Sequence, residues 1–269
     1  MSQQQMTLYM KHFTKDILEF ININLGLVVP NHFYLQMLCN DWCNESDKCE
    51  EYRNLNHITF WDLSLIDNLS HLFSNKKFNE LLLWNVTNVV IMNSTFNSCT
   101  RFNKPLNHWK TSKVTTINHL FTGCKNFDQP LDNWDVSKVE TMFGTFEGCN
   151  YFNQPLDNWD VSNVTNMSYL FKYCSKFNQP LNTWNIDNVR IMKEMFKGCM
   201  EFNQPLDKWK ITKSQILQKM FEDCTKLDIN SFDDWELSVI LPEKVEKMFQ
   251  NSLIERQNKI PQWYKQIEV

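Results

Sequence analysis

The sequence is poor in glycine and contains neither a long apolar run nor a basic stretch. Only five of its 269 residues are glycine, which excludes a glycine-rich phosphate-binding loop. No apolar run reaches the roughly 18 residues that a membrane-spanning helix needs. The formal net charge is −4, and no stripe of lysine and arginine of the kind that binds nucleic acid is visible. We therefore expect no nucleic-acid partner and no membrane span.

What the sequence does contain is a repeat with a step of 25 residues. Three residue types keep that step without a slip, and a period of this size is typical of repeat proteins built from stacked coils. The residues that keep this step are cysteines (Cys99, Cys124, Cys149, Cys174, Cys199, Cys224), phenylalanines (Phe96, Phe121, Phe146, Phe171, Phe196, Phe221) and tryptophans (Trp84, Trp109, Trp134, Trp159, Trp184, Trp209).

The apolar spacing changes within each repeat. Leu156, Trp159 and Val161 show the short steps of a half-buried strand, whereas Val164 to Cys174 shows the three-residue steps of a short helix. One coil cannot bury its own apolar face, so stacked coils are expected to join their strands. The pattern predicts an α/β repeat solenoid of about eight coils with a parallel β ladder, short helical segments and a helical N-terminal cap.

The repeat also predicts the domain boundaries. The solenoid is expected to span residues 61–253, because Trp61 and Phe73 match a first coil and Trp235 a last one. Residues 1–60 do not repeat and are predicted to form a helical cap or an F-box-like segment. Residues 254–269 are predicted to form a C-terminal cap, since end coils must cover one side of the core.

The nine cysteines allow three interpretations. Stacked ladder cysteines lie about 4.8 Å apart but point the same way, so buried free thiols are favoured over disulfides. The remaining three (Cys39, Cys43 and Cys49) lack zinc-knuckle spacing, and no metal or other cofactor is predicted. Free thiols suit a reducing compartment, and the polar N-terminus has no signal-peptide pattern. We expect an intracellular protein, cytoplasmic or virion-associated.

Polar residues beside the tryptophans are the predicted binding surface. Stacking predicts an acidic centre with basic coils on either side, and this charge pattern fits a partner with a basic patch. A solvated face without function is the alternative. The candidate partner-binding residues are Asp132, Asp135, Asp157, Asp160, Lys208 and Lys210.

The repeat motif resembles that of a known family. The pattern F-x-x-C-x-x-F-N-Q-P-L-x-x-W-x-V-S-x-V-x-x-M-x-x-x-F is similar to BspA-like leucine-rich repeats, and the resemblance covers residues 61 to 253. It implies a leucine-rich-repeat-like solenoid with protein-binding roles such as adhesion. The family motif contains no catalytic residues, and a catalytic motif is not visible elsewhere, so we expect no enzyme activity.

The N-terminal segment weakly resembles an F-box. Asp16-Ile17-Leu18 is similar to its opening and Leu38-Cys39-Asn40-Asp41-Trp42 to its closing motif, although the usual Leu-Pro is missing. The resemblance implies docking of a Skp-type adaptor through Ile17, Leu18, Leu38 and Trp42. A helical cap is the alternative.

Two functions are therefore expected from the sequence. The first is a non-enzymatic solenoid that mediates protein–protein interaction, with an F-box-like substrate-recognition adaptor as its specific form. The second is a structural component of a virion or cell-surface assembly that packs against neighbouring subunits.

Overall fold

Aromatic rings of successive 25-residue coils lie over one another in the core. The computed structural model describes residues 28–44, 57–212, 215–228, 232, 235 and 240–267. The rings of Phe96 and Phe121 lie 5.6 Å apart and nearly parallel, and those of Trp109 and Trp134 lie 6.3 Å apart. These side chains are at most 4% exposed. The stack thus buries the apolar positions that the repeat predicted.

Backbone hydrogen bonds join the coils through the segment that follows each tryptophan by eight to fourteen residues. Four alternate N–H groups of one coil donate to four alternate carbonyls of the next. In one such pair of coils the bonds are Met92 to Thr116 (3.1 Å), Ser94 to Asn118 (2.8 Å), Phe96 to Leu120 (3.0 Å) and Ser98 to Thr122 (2.6 Å). We call this part of the coil the turn segment.

The turn segment consists of overlapping β-turns. Asn97 N–H donates to the Ser94 carbonyl (3.2 Å), and Cys99 N–H donates to the Phe96 carbonyl (2.9 Å). Ser94 and Ser98 have φ values of 55° and 60°. Because left-handed residues recur every four positions, the segment cannot continue as a helix. Within the turn segment, the N–H groups that bond to another coil point toward the next coil, and the carbonyls that accept them point toward the preceding one.

The prediction of an α/β solenoid with a parallel β ladder is wrong. Among the described residues there is no strand, only isolated parallel bridges such as Thr116 with Thr141. The predicted strand turns instead, because Trp159 N–H donates to the Leu156 carbonyl (3.1 Å) and Val164 N–H to the Val161 carbonyl (2.9 Å). The predicted helical segments are the β-turns described above. A leucine-rich-repeat architecture is therefore not supported.

The described helices lie at the two ends of the stack. Helix α1 spans His32–Cys43, α2 spans Leu253–Arg256 and α3 spans Gln262–Lys265. Short 3₁₀ turns occur at Ile58–Phe60 and Pro242–Lys244. None of the helices in the described part of the chain has the length and apolar character that crossing a bilayer requires.

The two ends of the stack are covered by different groups. Helix α1 packs on the first coil, where the Trp42 ring meets Trp61 edge-on at 6.1 Å. At the other end Trp263 and Tyr264 are buried, and the Tyr264 hydroxyl accepts the Met248 N–H (3.0 Å). The helices therefore close both ends of the aromatic core.

Candidate protein-binding surface

The six tryptophans that keep the 25-residue step, from Trp84 to Trp209, are each fixed to the preceding coil by the indole N–H. Trp134 Nε1 donates to the Leu106 carbonyl (2.9 Å), and Trp159 Nε1 donates to the Leu131 carbonyl (3.0 Å). A buried indole with its donor satisfied has one well-defined position. The residues beside each tryptophan are therefore held on a rigid backbone. We call the exposed residues next to Trp109, Trp134, Trp159, Trp184 and Trp209 the tryptophan edge.

All six candidate partner-binding residues lie exposed on the tryptophan edge. The four aspartates belong to two neighbouring coils, and the two lysines belong to a coil further along the stack. They are Asp132, Asp135, Asp157, Asp160, Lys208 and Lys210. Exposed Lys110 lies on the coil before the aspartates. The structure thus brings the acidic residues together and places basic residues on both sides of them.

Asparagines hold some of these residues in place. Asn107 Nδ2 donates to Asp132 Oδ1 (2.8 Å), while Asn107 Oδ1 accepts the Asn133 N–H (2.8 Å). Asn182 makes the same two bonds, to Asp207 Oδ1 and from the Lys208 N–H, each at 2.9 Å. An amide group can donate and accept at once, so it links two coils without adding charge.

Hydrogen bonds hold Asp135 in its charged form. The Ser137 hydroxyl (2.6 Å) and backbone N–H (3.0 Å) donate to Asp135 Oδ1, and these bonds lower the pKa of Asp135. Asp160 accepts the Ser162 N–H in the same way (3.0 Å). None of the ion pairs within the described residues includes Asp132, Asp135, Asp157 or Asp160. The acidic centre therefore forms no ion pair with a described lysine, although the charge of Lys138 adds to the lowering of the pKa of Asp135.

Side-chain amides of the Asn-Gln-Pro motif form a ladder along the stack. In the inner coils the side-chain oxygen accepts two donors from the next coil; Asn153 Oδ1 accepts the Asn178 N–H (2.9 Å) and Gln179 Nε2 (3.1 Å). Asp128 holds this position one coil earlier and accepts the same two groups of its own neighbour. The ladder satisfies buried backbone donors, which is a structural role.

The ladder cysteines are buried, as predicted, and they also donate hydrogen bonds, which sequence reasoning missed. Cys149 Sγ donates to the Phe121 carbonyl (3.1 Å) and Cys174 Sγ to the Phe146 carbonyl (2.9 Å) of the preceding coil. Burial raises the pKa of all six thiols, that of Cys99 to about 12. Protonated thiols at these positions are therefore structural donors.

The structure gives no metal site to the other cysteines that it describes. Cys39 is buried and Cys43 half-buried in α1, while Cys49 lies outside the described residues. Within the described part of the chain, no three His, Cys, Asp or Glu side chains are placed to hold a metal ion.

The candidate adaptor-docking residues fall into two groups. Ile17 and Leu18 lie outside the described residues. Leu38 and Trp42 are half-buried and pack against the core, where the Trp42 ring also lies 4.9 Å from that of His57. Both residues of α1 thus serve the contact with the first coil.

A charged network on the turn segments was not predicted. Lys172 Nζ lies 2.9 Å from Glu194 Oε2 and 3.6 Å from Glu147 Oε1, and 4.7 Å from the Tyr169 ring centre. Burial is the largest single influence and opposes the charge of Lys172, but its hydrogen bond to Glu194 together with the charges of Glu194 and Glu147 outweighs burial and raises the pKa of Lys172. The only sequence signal was the change of residue type from coil to coil at positions that face solvent.

Comparison with known proteins places most of the chain in one family. A family model described as "Mycoplasma protein of unknown function, DUF285" matches residues 43–159 and 140–263. The chain belongs to this family. Searches of curated proteins and of solved structures found no significant match. The DUF285 match agrees with the resemblance to BspA-like repeats, but it supports neither a leucine-rich repeat nor an F-box.

Proposed function

We propose that this DUF285 protein is a non-enzymatic repeat protein that binds a basic partner protein along its tryptophan edge. The observation that carries the proposal is the set of four exposed aspartates on two neighbouring coils, none of them in an ion pair within the described residues. Aspartates at equivalent positions of stacked coils repel one another, which lowers stability. A cationic partner would relieve that repulsion.

The rigidity of the tryptophan edge supports the proposal. The indole bonds and the Asn107 bonds fix the backbone on which Asp132 and Asp135 stand. A preorganised surface loses little conformational entropy on binding. The basic residues on either side, including Lys110 and Lys208, would repel a long basic partner and so favour a short basic segment.

The experiment is a comparison of two double variants expressed in the source cells. Asp135→Lys with Asp160→Lys reverses the acidic centre, while Glu243→Lys with Glu246→Lys changes the net charge equally at exposed positions of the last coil. Crosslinking followed by mass spectrometry should recover a basic partner with the wild type and the control only. Equal recovery of the same partners with both variants would refute docking at the tryptophan edge.

The adaptor hypothesis has a separate test. A Skp-type adaptor that contacts Leu38 and Trp42 must displace α1 from the first coil, because both side chains already pack there. Co-purification with such an adaptor, and its loss in Leu38→Asp with the coil stack still folded by circular dichroism, would support this form of the function. Failure to co-purify leaves binding at the tryptophan edge unaffected.

A further inference from the structure

A second surface, opposite in charge to the acidic centre, lies at the end of the turn segments. Its exposed apolar side chains are Tyr151 (59%), Tyr173 (45%) and Met200 (51%), each from a different one of three successive coils. We call these three residues the tyrosine patch. Exposed Tyr and Met side chains with a charged rim are typical of protein-binding surfaces.

Backbone and side-chain bonds bring the patch together. Asn150, next to Tyr151, donates from Nδ2 to the Tyr173 carbonyl (3.2 Å) and accepts the Lys176 N–H at its own carbonyl (3.1 Å). The Tyr173 ring in turn lies against Gly198, two residues before Met200. The three apolar residues therefore lie on adjoining coils at the same end of the turn segments.

The backbone at Tyr173 is unusual for so large a residue. Tyr173 has a φ of 60°, a left-handed conformation, and the equivalent residue in three other coils is glycine (Gly123, Gly148 and Gly198). A Cβ on Gly198 would lie 2.5 Å from Tyr173 Cδ1, so only glycine leaves room for the ring. The same conformation occurs at Ser98 and Asp223, so it belongs to the turn segment, and at position 173 it holds the tyrosine ring against the next coil.

The rim of the patch is basic. Lys125 lies beside Tyr151, whose N–H donates to the Lys125 carbonyl (3.3 Å), and Lys176 lies on the next coil. Both lysines are exposed, and neither takes part in an ion pair of the described residues. The described carboxylates near the patch are themselves paired: Glu147 and Glu194 with Lys172, which lies 5.2 Å from the Tyr173 ring centre, and Glu201 with Lys226. The rim therefore attracts negative charge.

We propose that the tyrosine patch binds a peptide segment that carries carboxylates next to an apolar or aromatic anchor. The anchor packs on the rings of Tyr151 and Tyr173, and the carboxylates pair with Lys125 and Lys176. This surface is independent of the tryptophan edge, which takes a partner of the opposite charge.

The test is selection from a phage-displayed library of random peptides on the immobilised full chain, followed by anisotropy measurements with the selected peptide. The expected peptides combine Asp or Glu with Leu, Phe, Tyr or Trp. Tyr173→Gly combined with Tyr151→Ser should weaken binding roughly tenfold or more, as loss of an interface anchor does. Glycine suits the backbone at position 173, so this variant is expected to fold.

Two further variants separate charge at the patch from charge elsewhere. Lys125→Glu with Lys176→Glu should abolish binding, whereas Lys110→Glu, on the tryptophan edge, with Lys138→Glu, an exposed lysine four residues after Trp134, should leave it unchanged. Asp135→Lys with Asp160→Lys should also leave it unchanged, which distinguishes this proposal from the proposed function. Failure to select any peptide, selection of basic peptides, or binding that survives the patch variants would each overturn the proposal.

Discussion

Raising the pH should unfold the coil stack, because its six ladder thiols can ionise only when the chain unfolds. Each is 0% exposed, and burial raises its pKa above the ordinary value of 9.0. In the folded chain Cys99 ionises only near pH 12. In the unfolded chain all six ionise near pH 9, as exposed thiols do. The stabilisation is thus complete below pH 9 and falls as the pH rises above it.

The size of the effect follows from proton linkage. A thiol that ionises near pH 9 only in the unfolded state lowers the free energy of unfolding by about 1.4 kcal/mol at pH 10. Six such thiols give about 8 kcal/mol, which is comparable with the total stability of a typical domain, about 5–15 kcal/mol. Buried Cys39, whose pKa burial also raises, acts in the same direction.

The assay is urea unfolding followed by tryptophan fluorescence, at pH 8 and at pH 10, with a reductant present. The midpoint should fall steeply between the two conditions. Cys149→Ala provides the control: it loses one thiol, so its free energy of unfolding should depend on pH about one sixth less strongly. A change of less than about 2 kcal/mol from pH 8 to pH 10 would mean that the thiols ionise within the folded stack, against the burial argument.

Substitutions at three positions test the packing, the amide ladder and the turn backbone by the same unfolding measurement. Trp159→Ala should lower the free energy of unfolding by about 3–5 kcal/mol, because it opens a cavity between coils. Trp159→Phe should lower it less, since this variant loses mainly the hydrogen bond to the Leu131 carbonyl. Near-wild-type stability of the alanine variant would refute the buried stack. Asn153→Ala should cost about 1–3 kcal/mol because two donors lose their acceptor, whereas Asn153→Asp should be nearly neutral, as Asp128 already fills the equivalent position. Gly148→Ala should cost about 1–2 kcal/mol, because its φ is 72° although the space is open, and an unchanged midpoint would contradict that backbone conformation.

The sequence predicted the buried positions well because a strict repeat reports packing directly. Trp, Phe and Cys at one step must occupy equivalent places in successive coils, whatever the backbone between them. Their burial in the structure follows from that requirement. The amide ladder was predictable for the same reason, since Asn153 and Asn178 recur at the same step.

The backbone conformation was not predictable from the same pattern. Three-residue apolar steps from Val164 to Phe171 fit a helix and a run of β-turns equally well. What decides between them is the left-handed residue in every second turn, and that position accepts Gly144, Tyr169 and Glu194 alike. A residue type that varies this much leaves no signal in one sequence. The prediction of a strand was wrong for a related reason: the Trp-x-Val pattern also fits a turn that buries both side chains.

The candidate surface was predictable only as a set of exposed positions. Residues that alternate with buried ones along the Trp segment had to face solvent, and the structure agrees for Asp132 and Asp160. The patch formed by Tyr151, Tyr173 and Met200 had no such signal. These residues stand at different offsets from their tryptophans, and they become neighbours only because adjacent coils meet at the end of the turn segment.

The one-way hydrogen bonds of the turn segments explain why the two ends of the stack carry different groups. Aligned N–H and C=O groups leave unpaired carbonyls at the first coil and unpaired amides at the last, as in a helix. The first coil meets a donor, since His32 Nδ1–H donates to the Asn68 carbonyl (2.9 Å). The last coil meets an acceptor, since Glu255 Oε2 takes the Asn251 N–H (2.6 Å). Because the ends and the core are satisfied in this way, the outward residues of the inner coils can change without loss of the fold, which is what a binding surface requires.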